Sequence, residues 1–485
     1  MKSLKEIVHC IAPNHSLTSD CTIASLSFDS RTVDNQCLFF AFIGSNGNGH
    51  DFLLKAYELG CRAAVVSQAV DVPQDMQLIF VENTRIAFAS ASCFWFGYPA
   101  NRLTLVGVTG TNGKTTTATL LHQLFESLGY KSGLISTVVN LVGSEKIPSS
   151  HTTPDAFSLN ALFSKMVDQG CSHCFMEVSS HALDQFRVHG ITFKGAVFTN
   201  ITHDHLDYHK TFKEYLRVKK TFFDSLEKDA FALTNLDDKN GKVMLQNTLA
   251  KKVGYSLKTM SDYKANLLEN SLNGLVLKVG PYELHSPLMG EFNAYNLLAL
   301  FATGQLLGIP AMELLEKISN LKAVDGRFQF FKSQTGVTVV VDYAHTPDAL
   351  ENMLKTLSVF LKNDQKLITI VGCGGDRDKE KRPIMAKIAQ AYSHQFILTS
   401  DNPRTEHPAA ILKDMEQGLD ASSSHKGITI EDRLQAIKTA SLLANSGDIV
   451  LIAGKGHEKY QEVNGVKTPF DDFALAWESF NTKNQ

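Results

Sequence analysis

The chain has 485 residues, and at about 150 residues per domain that length points to roughly three domains. Lysine and arginine number 47 against 50 aspartates and glutamates, and the resulting net charge of −3 excludes attraction to nucleic acid or an anionic membrane by overall charge. With 44% hydrophobic and 20% charged residues the composition is that of a folded globular protein, which excludes disorder as the main state.

No apolar run approaches the roughly 18 to 20 residues of a membrane span; the longest, such as 38–43 and 337–341, have strand length. At the N-terminus, MKSLKEIVHCIAPNHS carries Glu6 and His9 where a signal peptide needs an unbroken apolar core, so a cytoplasmic protein is expected. The eight cysteines are scattered. Only Cys171 and Cys174 form a C-x-x-C pair, without a second pair to complete a zinc site, so reduced and mostly buried thiols are expected.

In chain order, a first unit is predicted over 1–98. It has short strands and helices, among them LFFAFIG (38–44) and AAVVS (63–67), and ends at the turn-prone Gly97-Tyr98-Pro99. A second, over 99–325, opens with the strand LTLVGV (103–108), a Gly-rich turn and a helix over about 115–128. The strands CFMEV (174–178) and AVFTNI (196–201) and a late helix over 293–308 continue an α/β alternation around a parallel sheet.

The third unit, over 326–485, repeats strand, loop and helix. VTVVVDYA leads into a helix after Pro347, KLITIVGCGGD into one after Lys381, QFILTSDNPR into one after Pro408, and DIVLIAGKGHE follows. This pattern predicts a doubly wound, Rossmann-like sheet, in which ligands sit beyond the carboxyl ends of the strands. The strand tips are Asp342-Tyr343-Ala344-His345, Gly374-Gly375-Asp376-Arg377, Asp401-Asn402-Pro403-Arg404 and Gly454-Lys455-Gly456-His457-Glu458, so polar chemistry gathers at one edge.

The segment 107–116 follows a strand and opens a helix, the setting in which backbone N–H groups and a helix N-terminus hold phosphate. Lys114 is placed for the β- and γ-phosphates of ATP and Thr115 for a Mg2+. The standard loop has glycine where this chain has Val108, so it is a variant. A Gly-rich turn without a ligand gives no reason for a Lys-Thr pair at the helix start.

From GTNGKTTT (110–117) onward the sequence resembles the Mur ligase family, which shares this loop with folylpolyglutamate and cyanophycin synthetases. EVSSHALDQFR (177–187), TNITHDHLDYH (199–209) and VDYAHTPDAL (341–350) are similar to the family's central and C-terminal signatures, in the expected order, so the resemblance spans nearly the whole chain. It implies a three-domain α/β protein: a small N-terminal α/β domain, a central P-loop ATPase-like parallel-sheet domain and a C-terminal Rossmann-like domain. The implied activity is that of an ATP-dependent amide ligase, adding an amino acid to UDP-N-acetylmuramoyl-L-alanyl-D-glutamate in cytoplasmic peptidoglycan precursor synthesis. A monomer with small-molecule substrates, no nucleic acid and no membrane is expected.

The resemblance implies that Gly110, Thr111, Asn112, Gly113, Lys114, Thr115 and Thr116 hold ATP. Asn293 and Asn296 in GEFNAYN, Arg327 in DGRFQ and Asp342 would close the nucleotide between central and C-terminal domains. Read alone, each of these four is a polar helix face or a domain-junction contact. Glu177, at a strand end, is either within reach of a phosphate-held cation or a solvated loop acid. HDHLDYH (203–209) reads as a metal site or as a polar surface loop. The resemblance implies that His205 binds a second Mg2+ and that Lys219 on the next helix is carbamylated, with Lys220 open as the alternative. Carbamylation turns a cation into a carboxylate-like anion that can sit beside a metal.

SFDSR (27–31) and GSNGNG (44–49) are loops by composition; the resemblance implies uridine-diphosphate contacts from Phe28, Ser30, Ser45, Asn46 and Gly47. It implies a muramoyl-dipeptide channel lined by His151, where some relatives carry asparagine, with Thr152, Thr153, Ser179, Gln185 and Arg187. In DNPR (401–404) an arginine fork can pair bidentately with a carboxylate, and meso-diaminopimelate carries a distal carboxylate that lysine lacks. Lysine would leave Arg404 unpaired, a mismatch that can discriminate by ~10⁴. Arg377, Asp401, Asn402, Pro403, Gly454 and Glu458 match the remaining implied diaminopimelate contacts. The alternatives are a lysine-adding counterpart, a folylpolyglutamate synthetase, against which SFDSR and DNPR speak, and a regulatory P-loop protein that binds ATP without forming a bond.

Overall fold

A computed structural model describes the chain except residues 45–46, 150, 203, 205, 421–425 and 483–485 and the side chains of 206 and 207. The first sheet is four-stranded and parallel, in the order Ser25–Ser27, Cys37–Phe40, Ala63–Val66, Gln77–Phe80. Because strand side chains alternate between faces, Leu38 and Phe40 pack against the helices Leu4–Ile11 and Thr84–Trp95, while Cys37 and Phe39 pack against Leu53–Glu58. The strand predicted over 38–44 stops at Phe40. The apolar run continues for another reason: Phe42 stacks on Phe28 (5.0 Å between centroids, 11° between planes) and meets Phe88 edge-on.

The second sheet has 11 strands. Its parallel centre runs Ser132–Ile135, His173–Glu177, Thr104–Thr109, Gly195–Phe198, Phe231–Asn235, Lys251–Ser256. Two antiparallel additions flank it that the α/β alternation did not predict: the hairpin Val139–Val142/Glu145–Pro148 and the meander Tyr263–Ser271, Gly274–Val279, Tyr282–Ser286. The meander strands are half-exposed and polar on one face, a pattern distinct from the fully apolar strands of a parallel sheet. The helices Lys114–Ser127 and Glu291–Leu306 cover one face and Phe212–Asp224 the other.

The third sheet runs Gln329–Lys332, Thr338–Asp342, Ile449–Ala453, Leu367–Val371, Gln395–Leu398, Gly427–Thr429, parallel except for its first strand. Helices cover both faces, as the doubly wound pattern predicts. This order puts the ends of Leu367–Val371, Gln395–Leu398 and Ile449–Ala453 side by side, so 372–377, 401–404 and 454–458 share one rim. The proposed boundaries at 98 and 325 lie between the three sheets. Among the described residues no helix is long and apolar enough to cross a membrane, and all eight cysteines are free, six of them buried.

Candidate active site

The phosphate loop leaves the strand Thr104–Thr109 and enters the helix Lys114–Ser127 through Gly113, which caps it with φ 84°; a Cβ there would stand 2.8 Å from Asn296 Oδ1. Asn296 is buried, donates to Asn293 Oδ1 at 3.0 Å and accepts from Thr117 Oγ1 at 3.3 Å, so both asparagines brace the helix start. The loop's other wall is 199–202. Asn200 Oδ1 accepts from Asn112 N at 2.9 Å, Thr199 Oγ1 donates to Asn112 O at 2.6 Å, and Thr202 N donates to Thr111 Oγ1 at 3.0 Å. The Lys114 amine, half-buried, donates to Gly110 O (2.9 Å) and Thr111 O (2.7 Å). Burial lowers its pKa, an effect the Glu177 charge opposes. Thr115 is buried and Thr116 half-buried at the helix start.

Glu177 ends its strand completely buried. Its Oε1 accepts from Thr137 N at 2.7 Å, and its Oε2 has no hydrogen-bond partner among the described residues. A buried carboxylate oxygen left unpaired is expensive, and a hydrogen-bond donor or a cation can satisfy it. Across the loop the reverse holds: Arg327 Nη2 donates to Thr115 Oγ1 at 3.2 Å while its buried Nε has no acceptor among the described residues. An acceptor without a donor and a donor without an acceptor, on either side of a phosphate loop, fit a cation and an anionic phosphate. Asp342, buried, accepts from Phe328 N at 2.6 Å; burial pushes its carboxyl up to about 6 against the pull of Arg327.

Lys219 is buried and donates to Gly110 O at 2.9 Å with its amine over the Tyr215 ring. Burial first, then Lys114, holds its pKa well below the ordinary lysine value. Lys220 instead pairs with Asp224 at 2.6 Å. His205 lies outside the described residues, as do Ser45 and Asn46. Among the described residues no three His, Cys, Asp or Glu side chains gather as a metal site.

Next to Glu177 the expected dipeptide residues form one connected network. Thr152 Oγ1 and Thr137 Oγ1 are 2.9 Å apart, and Thr153 Oγ1 donates to Glu177 O at 2.8 Å and accepts from Ser179 N at 3.1 Å. Arg187 donates to Thr153 O at 2.6 Å and to Gln185 Oε1 at 2.7 Å. His151 is exposed beside them. In the first unit Phe28 is partly exposed on Phe42, Ser30 is buried, and Gly47 O accepts from Gly44 N at 2.9 Å. Arg85, not anticipated from sequence, lies over the Phe42 ring at 4.7 Å, and burial first, then the Arg85 charge, lower the Arg187 pKa against the pull of Asp155.

At the rim of the third sheet Asp401, Asn402 and Pro403 are buried, and Arg404, with φ 51°, donates to Gly375 O at 2.7 Å. Arg404 makes no ion pair among the described residues. Arg377 is exposed on the neighbouring loop, with Gly374 between it and Arg404. Gly454, at φ 114°, lets the backbone pass where a Cβ would stand 3.0 Å from Asp401 Oδ2. Glu458 accepts from Asn402 Nδ2 at 2.6 Å, and burial raises its pKa. Two buried arginines missed by sequence reasoning support this rim. Arg433 pairs with Asp472 at 2.7 Å and donates to Ala453 O and Ser400 O; Arg382 pairs with Glu406 at 2.7 Å and Asp414 at 2.8 Å. Asp348, also missed although inside VDYAHTPDAL, accepts from Asn112 Nδ2 at 3.2 Å and Thr202 Oγ1 at 3.1 Å, joining the helix Pro347–Ser358 to the phosphate loop.

The Mur ligase middle-domain model matches residues 108–304 and the Mur ligase glutamate ligase-domain model 326–456. A UDP-N-acetylmuramoyl-L-alanyl-D-glutamate-2,6-diaminopimelate ligase from Cytophaga hutchinsonii is 49% identical over 466 residues, 96% of each chain. A solved structure of an enzyme of that same name is 34% identical, with a TM-score of 0.69, and the match covers 99% of this chain and 98% of that one. A folylpolyglutamate synthase from Mycobacterium tuberculosis, complexed with ADP and AMPPCP, shares the fold at 18% identity and a TM-score of 0.61, over 76% of this chain and 92% of its own. The chain belongs to the Mur ligase family.

Proposed function

We propose that the protein joins meso-diaminopimelate to UDP-N-acetylmuramoyl-L-alanyl-D-glutamate at the expense of ATP, in the cytoplasmic synthesis of peptidoglycan precursors. The observation that carries this reading is the rim of the third sheet: Arg404, without a carboxylate partner among the described residues, beside the acid pair Asp401 and Glu458. An amino acid with a second, distal carboxylate complements that arrangement, and the Cytophaga hutchinsonii relative bears the corresponding name. Lysine has nothing to offer Arg404.

In this reading the D-glutamate γ-carboxylate attacks the γ-phosphorus of ATP, ADP leaves, and the acyl phosphate is attacked by an amine of the diamino acid. That attack forms the C–N bond of a tetrahedral intermediate, which loses the amine proton and collapses as the C–O bond to phosphate breaks and phosphate departs. Lys114, the loop N–H groups and the start of the helix Lys114–Ser127 hold the phosphates, and Arg327 neutralises charge on the group in transfer. Thr152, Thr153, Ser179, Gln185 and Arg187 orient the dipeptide beside Glu177, and Phe28, Ser30, Ser45, Asn46 and Gly47 take the uridine nucleotide. His151 stands at the exposed end of that channel.

The unpaired Glu177 oxygen makes the site suitable for Mg2+. Thr115 and Glu177 would hold one ion, and Glu177, His205 and carbamylated Lys219 a second; bound there, they would offset the negative charge of the phosphates. The depressed Lys219 amine suits carbamylation, because only the neutral amine attacks CO2, forming an N–C bond and releasing a proton. Lys220 is instead engaged by Asp224 at 2.6 Å. Substrates on three units make domain closure the step that assembles the site, and we propose a monomer divided at 98 and 325. Phosphate release from purified protein with the UDP-dipeptide, ATP and each amino acid tests the reading; release with lysine but not meso-diaminopimelate would overturn it.

A further inference from the structure

The rim of the third sheet also contains a lysine to which no role has been given. Lys455 is completely buried, and its amine donates to Asn402 Oδ1 at 2.9 Å while standing 3.4 Å from Asp401 Oδ1 and 3.7 Å from Glu458 Oε2. Asn402 Nδ2 closes the ring by donating to Glu458 Oε2 at 2.6 Å. An ammonium can only donate, so Asn402 must turn its oxygen to Lys455 and its NH2 to Glu458. The backbone N–H of Glu462, donating to the same Asn402 oxygen at 3.0 Å, agrees with that orientation.

The charges follow from the same geometry. A lone buried ammonium, or two carboxylates forced together, is strongly unfavourable; one ammonium between two carboxylates relieves both and leaves a single negative charge. That residual charge lies beside Arg404, so the rim is negative at one point and positive at another. A zwitterionic substrate needs this polarity, with its ammonium toward the acids and its carboxylate toward the guanidinium.

We propose that Lys455 is a positioning residue for the incoming amino acid: it fixes Asp401, Asn402 and Glu458 so that the oxygens it leaves free receive the substrate ammonium. This inference rests on the reading of the strand tips as the amino-acid site. Glu458 is faced by Asp401, Lys455, Asn402 and Arg404, and the charges of Arg433 and the Tyr343 hydroxyl also sense it. Burial and Asp401 raise its pKa, while Lys455, Asn402 and Arg404 lower it. Removing the lysine charge should therefore raise it further.

The test is Lys455→Met, close in length but uncharged, in the full-length enzyme, read by phosphate release. The KM for meso-diaminopimelate should rise at least ~30-fold, as when one member of a buried charge cluster is removed, with the KM for ATP and for the UDP-dipeptide within about 3-fold of wild type. The acid limb of the kcat/KM profile for the amino acid should move to higher pH. In a Glu458→Gln background the same change should add less than about 3-fold, because the lysine acts through the acid. That double variant loses one charge of each sign, so it carries the test if the single variant does not fold. An unchanged KM for the amino acid, equal losses for all three substrates, or a full further loss in the Glu458→Gln background would overturn the inference. No phosphate release by the wild-type enzyme with meso-diaminopimelate would instead overturn the functional reading.

Discussion

The amines of Lys114 and Lys219 donate to the same acceptor, the carbonyl oxygen of Gly110, each at 2.9 Å. Burial, and then the repulsion between two amines this close, holds the Lys219 amine well below the ordinary lysine value. A carbamate on Lys219 converts that repulsion into attraction for Lys114 and for a cation. Lys219→Ala should therefore lower turnover by at least ~10² while Lys220→Ala changes it less than about 3-fold, and removal of dissolved CO2 should slow the wild type. Phosphate release measures all three.

Glu177 carries a buried oxygen with no partner among the described residues, a cost to the folded protein without ligands that binding a cation offsets. Glu177→Gln should leave the Tm of the ligand-free protein equal or higher, abolish stabilisation by Mg-ATP, and lower kcat by ~10² or more. Thermal unfolding with and without Mg-ATP separates the two effects. A Tm fall of more than about 5 °C without ligand would mean that the carboxylate is structural.

Asp348 ties the third unit to the phosphate loop through Asn112 and Thr202. Asp348→Ala removes both contacts and leaves every residue of the phosphate loop itself in place. It should lower kcat about 10-fold and enlarge the radius of gyration in small-angle scattering, as a looser closure requires. An unchanged kcat would remove Asp348 from the closure.

The Asp342 carboxyl, pushed up to about 6 from an ordinary 3.8, binds its proton more tightly folded than unfolded. Its contribution to stability is thus fully present below about pH 4 and is lost as the pH rises through 6. Asp342→Asn keeps an acceptor for Phe328 N but cannot ionise. Relative to wild type it should gain stability as the pH rises from 4 to 7, by about 3 kcal/mol at most, with the difference vanishing at low pH. Urea unfolding at several pH values measures this.

The phosphate loop was legible in sequence because strand, glycines, Lys114, Thr115 and helix are contiguous. The third unit was legible because each βα repeat is short and fully apolar in its strand. The meander at 263–286 was not, since half-exposed antiparallel strands carry no fixed apolar run. Lys114 and Lys219 lie 105 positions apart, and their shared acceptor exists only once the helix Phe212–Asp224 packs on the sheet. The roles of Arg433, Arg382, Arg85 and Lys455 were not legible, because the placement of a cation depends on partners distant in sequence, such as Asp472 for Arg433. Asp348 stood inside a quoted motif, but its partners, Asn112 and Thr202, belong to another unit.

The central claim is the pairing of Arg404 with a distal substrate carboxylate, and the most direct measurement is kcat/KM for meso-diaminopimelate and for lysine in wild type and in Arg404→Ala. The account predicts that wild type prefers meso-diaminopimelate by ~10³ to 10⁴, and that Arg404→Ala loses most of that preference, chiefly through KM for the diamino acid. A wild type that uses lysine equally well, or an Arg404→Ala enzyme that keeps the full preference, would contradict it.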